Sequence, residues 1–335
     1  MPNDENSSNS GEWVAGMPVQ SEKIAFEADE LVACTKCSKR NPPNRTSCLY
    51  CGHPIDLPEE RKGSAKLNLR PLEKWEKGFN VVFIPPAANP DTIEISRFLS
   101  IDRELLRRMI VVRSPFPMAR LESGTDAAIA VVRLKSLGLN SMVVSDETLK
   151  ADKPPTRLRA IEFLGDSILA TTFNTGEQIE IGRDKLLLIV SGSMIESKTE
   201  SVEKRKKKES KLIRESETSL EEKLIDIYTK DDPIGFQIQT KGFDYSCLAG
   251  DKSLIAAVNI ERLHKMLSDY APSVKTVDEY RANVSILNPI WEPDVQKDFK
   301  GLMRTGLVQS GYANVARTSN QTQFTKYSRL QRHLI

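Results

Sequence analysis

Histidine is scarce: His53, His264 and His333 are the only three in 335 residues. None stands near an acidic or nucleophilic residue in an arrangement suited to general acid–base or triad chemistry. A phosphate-cradling glycine loop, a dinucleotide fingerprint, a nucleophile elbow and a His-Glu-x-x-His helix are all missing. No apolar run approaches the roughly 20 residues that cross a bilayer. Residues 1–28 are polar and acidic rather than basic and then apolar, so neither a membrane association nor a secretion signal is expected. An excess of one charge is also lacking, because 48 Lys and Arg against 46 Asp and Glu leave a net charge of +2. That excludes the overall footprint of a dedicated nucleic-acid or membrane-surface binder. With only five cysteines, the chain cannot be a secreted disulfide framework, and a reducing cytoplasm is the expected setting. Together these absences describe a non-enzymatic cytoplasmic protein with no small-molecule substrate evident.

What is present begins with the cysteines. Cys34 and Cys37 form one Cys-x-x-Cys turn, and Cys48 and Cys51 form a second, ten residues further on. Each turn lets both thiolates face one point, and two such knuckles supply the tetrahedral sulfur cage that zinc favours at about 2.3 Å. Gly52 suits the positive φ of a metal-binding knuckle, and Pro42-Pro43 stiffens a connector too short to bury a core. A closed cage of four thiolates leaves no position for water or substrate, so the expected zinc is structural. Cys247, alone between Ser246 and Leu248, reads as a small buried apolar residue.

The segment from Cys34 to Gly52, with Asn41-Pro42-Pro43 between its knuckles, resembles the short bacterial zinc-ribbon family. It is also similar to the Ran-binding-protein-type zinc finger, a resemblance that implies reading of single-stranded RNA. Val32 and Ala33 stand where that family carries a tryptophan, while Lys36, Lys39, Arg40 and Arg45 make the ribbon basic.

Along the chain the reading is α+β and multidomain. A disordered leader over 1–28 precedes the zinc ribbon over 31–57 and a charged, proline-containing linker over 58–77. Over 78–150 a buried strand at 79–84 leads to helices started by Asp91 and Asp102. A strand near Met118–Leu121, a helix from Gly124 ended by Gly138 and a strand at 140–144 complete a small β-α-α-β-α-β sandwich. Over 155–292 short strands punctuated by glycine turns predict a β-rich domain closed by a helix over 253–270. Residues 196–222 are almost wholly charged and read as an insertion, and 293–335 as a flexible tail. Within the insertion, Lys204 to Lys208 is the sharpest basic run, offset by flanking glutamates.

Residues 114–144, with their proline turn, helix, glycine and closing strand, make the 79–146 stretch resemble the C-terminal domain of the ribosomal stalk protein. The N-degron protease adaptor shares that fold. The meander and closing helix of 156–272 look similar to a pleckstrin-homology-like domain, whose first turn here, Leu164-Gly165-Asp166-Ser167, lacks the clustered Lys and Arg that phosphoinositides need. The resulting expectation is a zinc-ribbon adaptor that binds protein partners through modular domains. The alternative is a nucleic-acid-associated factor that uses the basic ribbon and the 204–208 run.

Overall fold

In the computed structural model, residues 26–27, 30–55, 67, 69–206, 209–304 and 310–335 are described. The expected leader, apart from 26–27, and the 58–66 part of the expected linker lie outside them. The protein is mixed α+β, and its chain divides into two units, Met1–Leu67 and Asn68–Ile335. Among the described residues no helix is long and apolar enough to cross a membrane.

In the first unit, β1 (Val32–Ala33) pairs antiparallel with β2 (Arg40–Asn41), and Ser47 bridges Pro54. Apart from two cysteines, Pro43 and Ile55 are the buried apolar side chains among this unit's described residues. So small an apolar centre cannot offset the entropy of ordering some 25 residues, at about 1–2 kcal/mol each.

The second unit contains two sheets. The smaller is antiparallel, in the order β4-β3-β5, from β3 (Phe79–Phe83), β4 (Phe116–Leu121) and β5 (Ser141–Ser145). Val81, Val82 and Phe83 are fully buried beneath the helices. Helix α1 (Thr92–Leu99) starts where Asp91 accepts the amides of Ile93 and Glu94, and α2 (Arg103–Val112) where Asp102 accepts that of Leu105 at 2.8 Å. Helix α3 (Gly124–Ser136) is capped by Ser123. Gly138 then turns the chain at φ +81°, where a Cβ would lie 2.5 Å from the Ala88 carbonyl oxygen. Only glycine fits that approach. A short α4 (Asp146–Leu149) follows β5 directly.

The larger sheet is built from β6 (Thr156–Phe163), β7 (Ser167–Thr172), β8 (Gln178–Gly182), β9 (Leu186–Lys206), β10 (Glu209–Thr229), β11 (Phe236–Gln239), β12 (Lys275–Val277), β13 (Asp294–Arg304) and β14 (Ser310–Ser319). Its order is β13-β14-β9-β10-β11-β6-β7-β8, with β12 also on β9. Most neighbours are antiparallel, but β11–β6 and β12–β9 are parallel, so this is not a simple meander. Ile189, Ile225 and Ile227 pack with Ile260, Leu263 and Leu267 of α5 (Ala256–Tyr270). Strand alternation turns Leu188, Val190, Leu224 and Tyr228 to the other face. That face meets α6 (Tyr280–Leu287) and α7 (Gln321–His333), whose Tyr280, Phe324, Tyr327 and Leu330 are fully buried. Burial on both faces explains why these strand centres are continuously apolar. Gly192 lies at the crossing, where a Cβ would come within 2.3 Å of the Phe324 ring.

Three expectations change. Apart from 207–208, which lie outside the described residues, the charged block over 196–222 is not an insertion but the outer half of two 21-residue strands, β9 and β10, paired antiparallel from Leu186 and Thr229 to Lys206 and Glu209 with register shifts at Leu212/Arg214 and Tyr228/Thr229. Ser197, Thr199 and Ser201 share one face and Glu196, Lys198 and Glu200 the other, a period of two hidden by high charge. Ser197 Oγ meets Thr318 Oγ1 of β14 at 2.6 Å. Residues 293–335 are not a flexible tail, because they contribute β13, β14 and α7. The stretches 78–150 and 155–292 belong to one unit with that C-terminal segment. Arg329 of α7 donates to the carbonyls of Leu149, Lys150 and Lys153 at the end of α4, and Trp291 Nε1 donates to Asn80 Oδ1 at 2.8 Å.

Candidate metal centre

The two knuckles fold alike because their sequences impose the same turn. In the first, the Ser38 amide donates to the Cys34 carbonyl at 2.8 Å; in the second, the Gly52 amide donates to that of Cys48 at 3.0 Å. Both closing residues take positive φ, 61° at Ser38 and 68° at Gly52. The backbone amides of Lys36 and Tyr50 each point at the first sulfur of their knuckle, at 3.4 Å from Cys34 Sγ and Cys48 Sγ. Each turn therefore supplies two sulfurs and an amide dipole that favours the thiolate.

The structure brings all four sequence-predicted cysteines together, with their sulfurs within 4.8 Å of one another. Cys34 Sγ is 3.6 Å from Cys51 Sγ, and Cys37 Sγ is 3.5 Å from Cys48 Sγ. A disulfide would need about 2.0 Å, whereas sulfurs on a tetrahedron about 2.3 Å from its centre stand roughly 3.8 Å apart. The spacing fits a metal cage. Cys34 and Cys48 are buried, Cys37 is half-buried and Cys51 exposed.

Asn41, fully buried, locks the cage from behind. Its Nδ2 donates to the Lys39 carbonyl at 2.8 Å and lies 3.5 Å from Cys48 Sγ, while its Oδ1 accepts the Leu49 amide at 2.8 Å. Sequence reasoning assigned Asn41 only to a family motif; an amide beside Pro42 within a knuckle connector was the available signal.

The bare thiols titrate apart. Burial raises the Cys48 thiol, but the Tyr50 and Cys51 amides and Asn41 overcome it and hold the group down at about 6. Against the lowering effect of the Lys39 amide, burial and the neighbouring sulfurs push Cys37 up to about 12. A divalent cation at the centre would relieve that mutual repulsion and deprotonate all four.

Among the described residues these four cysteines form the one cluster suited to a metal. His53 contributes its carbonyl, which accepts the Cys48 amide at 2.9 Å. His264 is half-buried on α5, its pKa lowered by burial against the opposing pull of Asp278. Cys247 packs against the α5 core, and burial raises its thiol. Asp232 closes a turn by accepting the Ile234 and Gly235 amides, and Asp231 pairs with Lys185 at 2.9 Å. The side chains of the 204–208 run lie outside the described residues.

A scan against protein-family models, a search of curated proteins and a search of solved structures each find no match to this chain.

Proposed function

We propose that Cys34, Cys37, Cys48 and Cys51 hold one structural zinc ion in a ribbon, and that the chain is a non-enzymatic cytoplasmic adaptor for protein partners. The observation that carries the metal assignment is the sulfur spacing of 3.5–3.6 Å across the two knuckles. Thiolate-only donors favour zinc over harder cations, and a filled tetrahedron has no open position for catalysis. The adaptor reading rests on the surface the ribbon presents. Leu49 and Tyr50, at the tip of the second knuckle, are 53% and 58% exposed, and aromatic tips on a metal-fixed turn suit a partner's pocket. The element order of β3 through β5 supports the stalk-domain-like reading of residues 79–146, whereas the parallel β11–β6 pair departs from the meander on which the pleckstrin-homology-like reading rests.

The second reading, a nucleic-acid-associated factor, draws on the same surface. The Lys39 ammonium lies 4.5 Å from the centroid of the exposed Tyr50 ring, which joins a stacking platform to a cation. Metal analysis of freshly purified full-length protein should give one zinc per chain, and Cys48→Ser should lose it; a metal-free preparation with residues 30–55 still ordered defeats the assignment. Capture of the tagged protein from its native cytosol, with and without nuclease, separates the two functions. A nuclease-resistant partner supports the adaptor. Salt-dependent retention on single-stranded RNA that disappears on charge reversal of Lys36, Arg40 and Arg45 supports the alternative.

A further inference from the structure

Within the second unit a cleft of about 920 Å³ opens between the small sheet and the C-terminal segment. Its size matches sites that enclose small organic ligands. Leu72 and Ile290 wall it with the buried Leu105 and Met118 behind them, and Trp75, 80% exposed, also lines it.

Charge at the floor is unbalanced. Asp146 is the carboxylate there, and it is saturated. Its Oδ2 accepts the Gly78 amide at 3.0 Å and Arg120 Nε and Nη2 at 2.8 and 2.6 Å, and its Oδ1 accepts Asn80 Nδ2 at 3.0 Å. Lys326 of α7 reaches the same Oδ1 only at 3.4 Å. The side chains of Arg120, Asp146 and Lys326 are 12%, 11% and 15% exposed. Two cations thus meet one buried carboxylate in a poorly solvated place, while Glu76 and Asp294, which are more exposed and paired with Arg70 and Lys74, attract them more weakly. Among the described residues Arg120 Nη1 has no acceptor, and the Lys326 ammonium has no contact closer than Asp146. Burial lowers the Lys326 pKa although Asp146 opposes it, as expected of an under-compensated ammonium. Around the mouth Glu147 pairs with Lys77 at 2.9 Å and Asp294 with Lys74 at 3.3 Å; Asp102, Asp152 and Glu292 line it together with Lys150 and Lys153, so the rim carries both signs.

We propose that this cleft binds a small amphiphilic monoanion, its carboxylate held by Lys326 and Arg120 and its apolar body lying along Leu72, Leu105, Met118 and Trp75. The single 3.4 Å contact of Lys326 and the Nη1 of Arg120 leave donors for one carboxylate.

Dodecanoate is the probe, with dodecanol as its uncharged counterpart, measured by calorimetry and by displacement of anilinonaphthalene sulfonate. Excitation through Trp75 and Trp291 reports the displacement in full-length protein carrying Trp13→Phe. Saturable binding of one dodecanoate per chain is expected. Lys326→Met should weaken it at least tenfold while leaving dodecanol unchanged, and Lys326→Arg should restore it. The proposal is overturned if no saturable binding occurs, if Lys326→Met leaves dodecanoate unaffected, or if it weakens both ligands alike. Should Lys326→Met fail to fold, Leu105→Trp decides: a filled wall that abolishes binding supports the cleft, and undiminished affinity overturns it.

Discussion

Asp226 shows how one buried group can control stability. It lies under α7 with 1% exposure, accepting Gln237 Nε2 at 2.9 Å beside the Tyr228 hydroxyl, which meets Ser328 Oγ at 2.8 Å. Burial raises its pKa from 3.8 to about 6, against the lowering effects of Ser328, Gln237 and the charge of Arg329. The folded state therefore holds the proton more tightly than the unfolded chain, so this group's contribution is most favourable below pH 3.8 and is lost as pH rises through about 6. Asp226→Asn should flatten that decline. We expect denaturant titrations at pH 7.5 to find the variant about 1–3 kcal/mol more stable, and equal to the parent near pH 4. A variant less stable at pH 7.5 would show that the carboxylate and Arg329 form a net favourable pair. The metal ligands are governed by spacing instead, and spacing is written in the sequence: two identical turns ten residues apart leave the thiols little choice. Asn41 was harder to read, because its value lies in satisfying three groups that come together only after the turn closes.

At the scale of elements, caps and breaks were legible and composition misled. Asp91, Asp102 and Gly138 act where their residue types suggest, because capping and positive φ are local chemistry. Helix α7 was invisible for the opposite reason. Besides Phe324, Tyr327 and Leu330 it buries Gln323, Thr325, Ser328, Arg329 and Gln331, so its core face carries polar groups whose partners lie far away in the chain. Tyr280, for instance, donates to Gln323 Oε1 at 2.8 Å. The helix is central to the fold all the same. Phe324→Ala should destabilise the second unit by about 3–5 kcal/mol in urea unfolding. Gly192→Ala, which must push the Phe324 ring aside, should cost about 1–3 kcal/mol. If both are neutral, α7 does not pack on β9 as described. The outer halves of β9 and β10 were likewise concealed: the charged strands form here because they pair with each other and β9 also with β14, not because their side chains are apolar.

For the whole molecule, the two units have different sources of stability, and a chelator should expose that. Under the proposed zinc assignment the first takes its order from the ion, worth on the order of 10–16 kcal/mol in zinc ribbons, while the second has cores on both faces of its large sheet. Amide exchange should therefore lose protection over 30–55 on chelation and keep it over β3 through β5 and β9 through β11. Retained protection in the first segment would mean that the cage is not its organiser. By itself the sequence determined the gathering of the four cysteines, the starts of α1, α2 and α3 and the apolar strand centres, since each depends on neighbours a few residues away. Only the tertiary structure decided that the C-terminal segment completes the second unit and that Lys326, Arg120 and Asp146 meet in one cleft. Arg120 reaches Asp146 across 26 positions and Lys326 across 180, and their polar side chains acquire meaning only when folding removes the water between them.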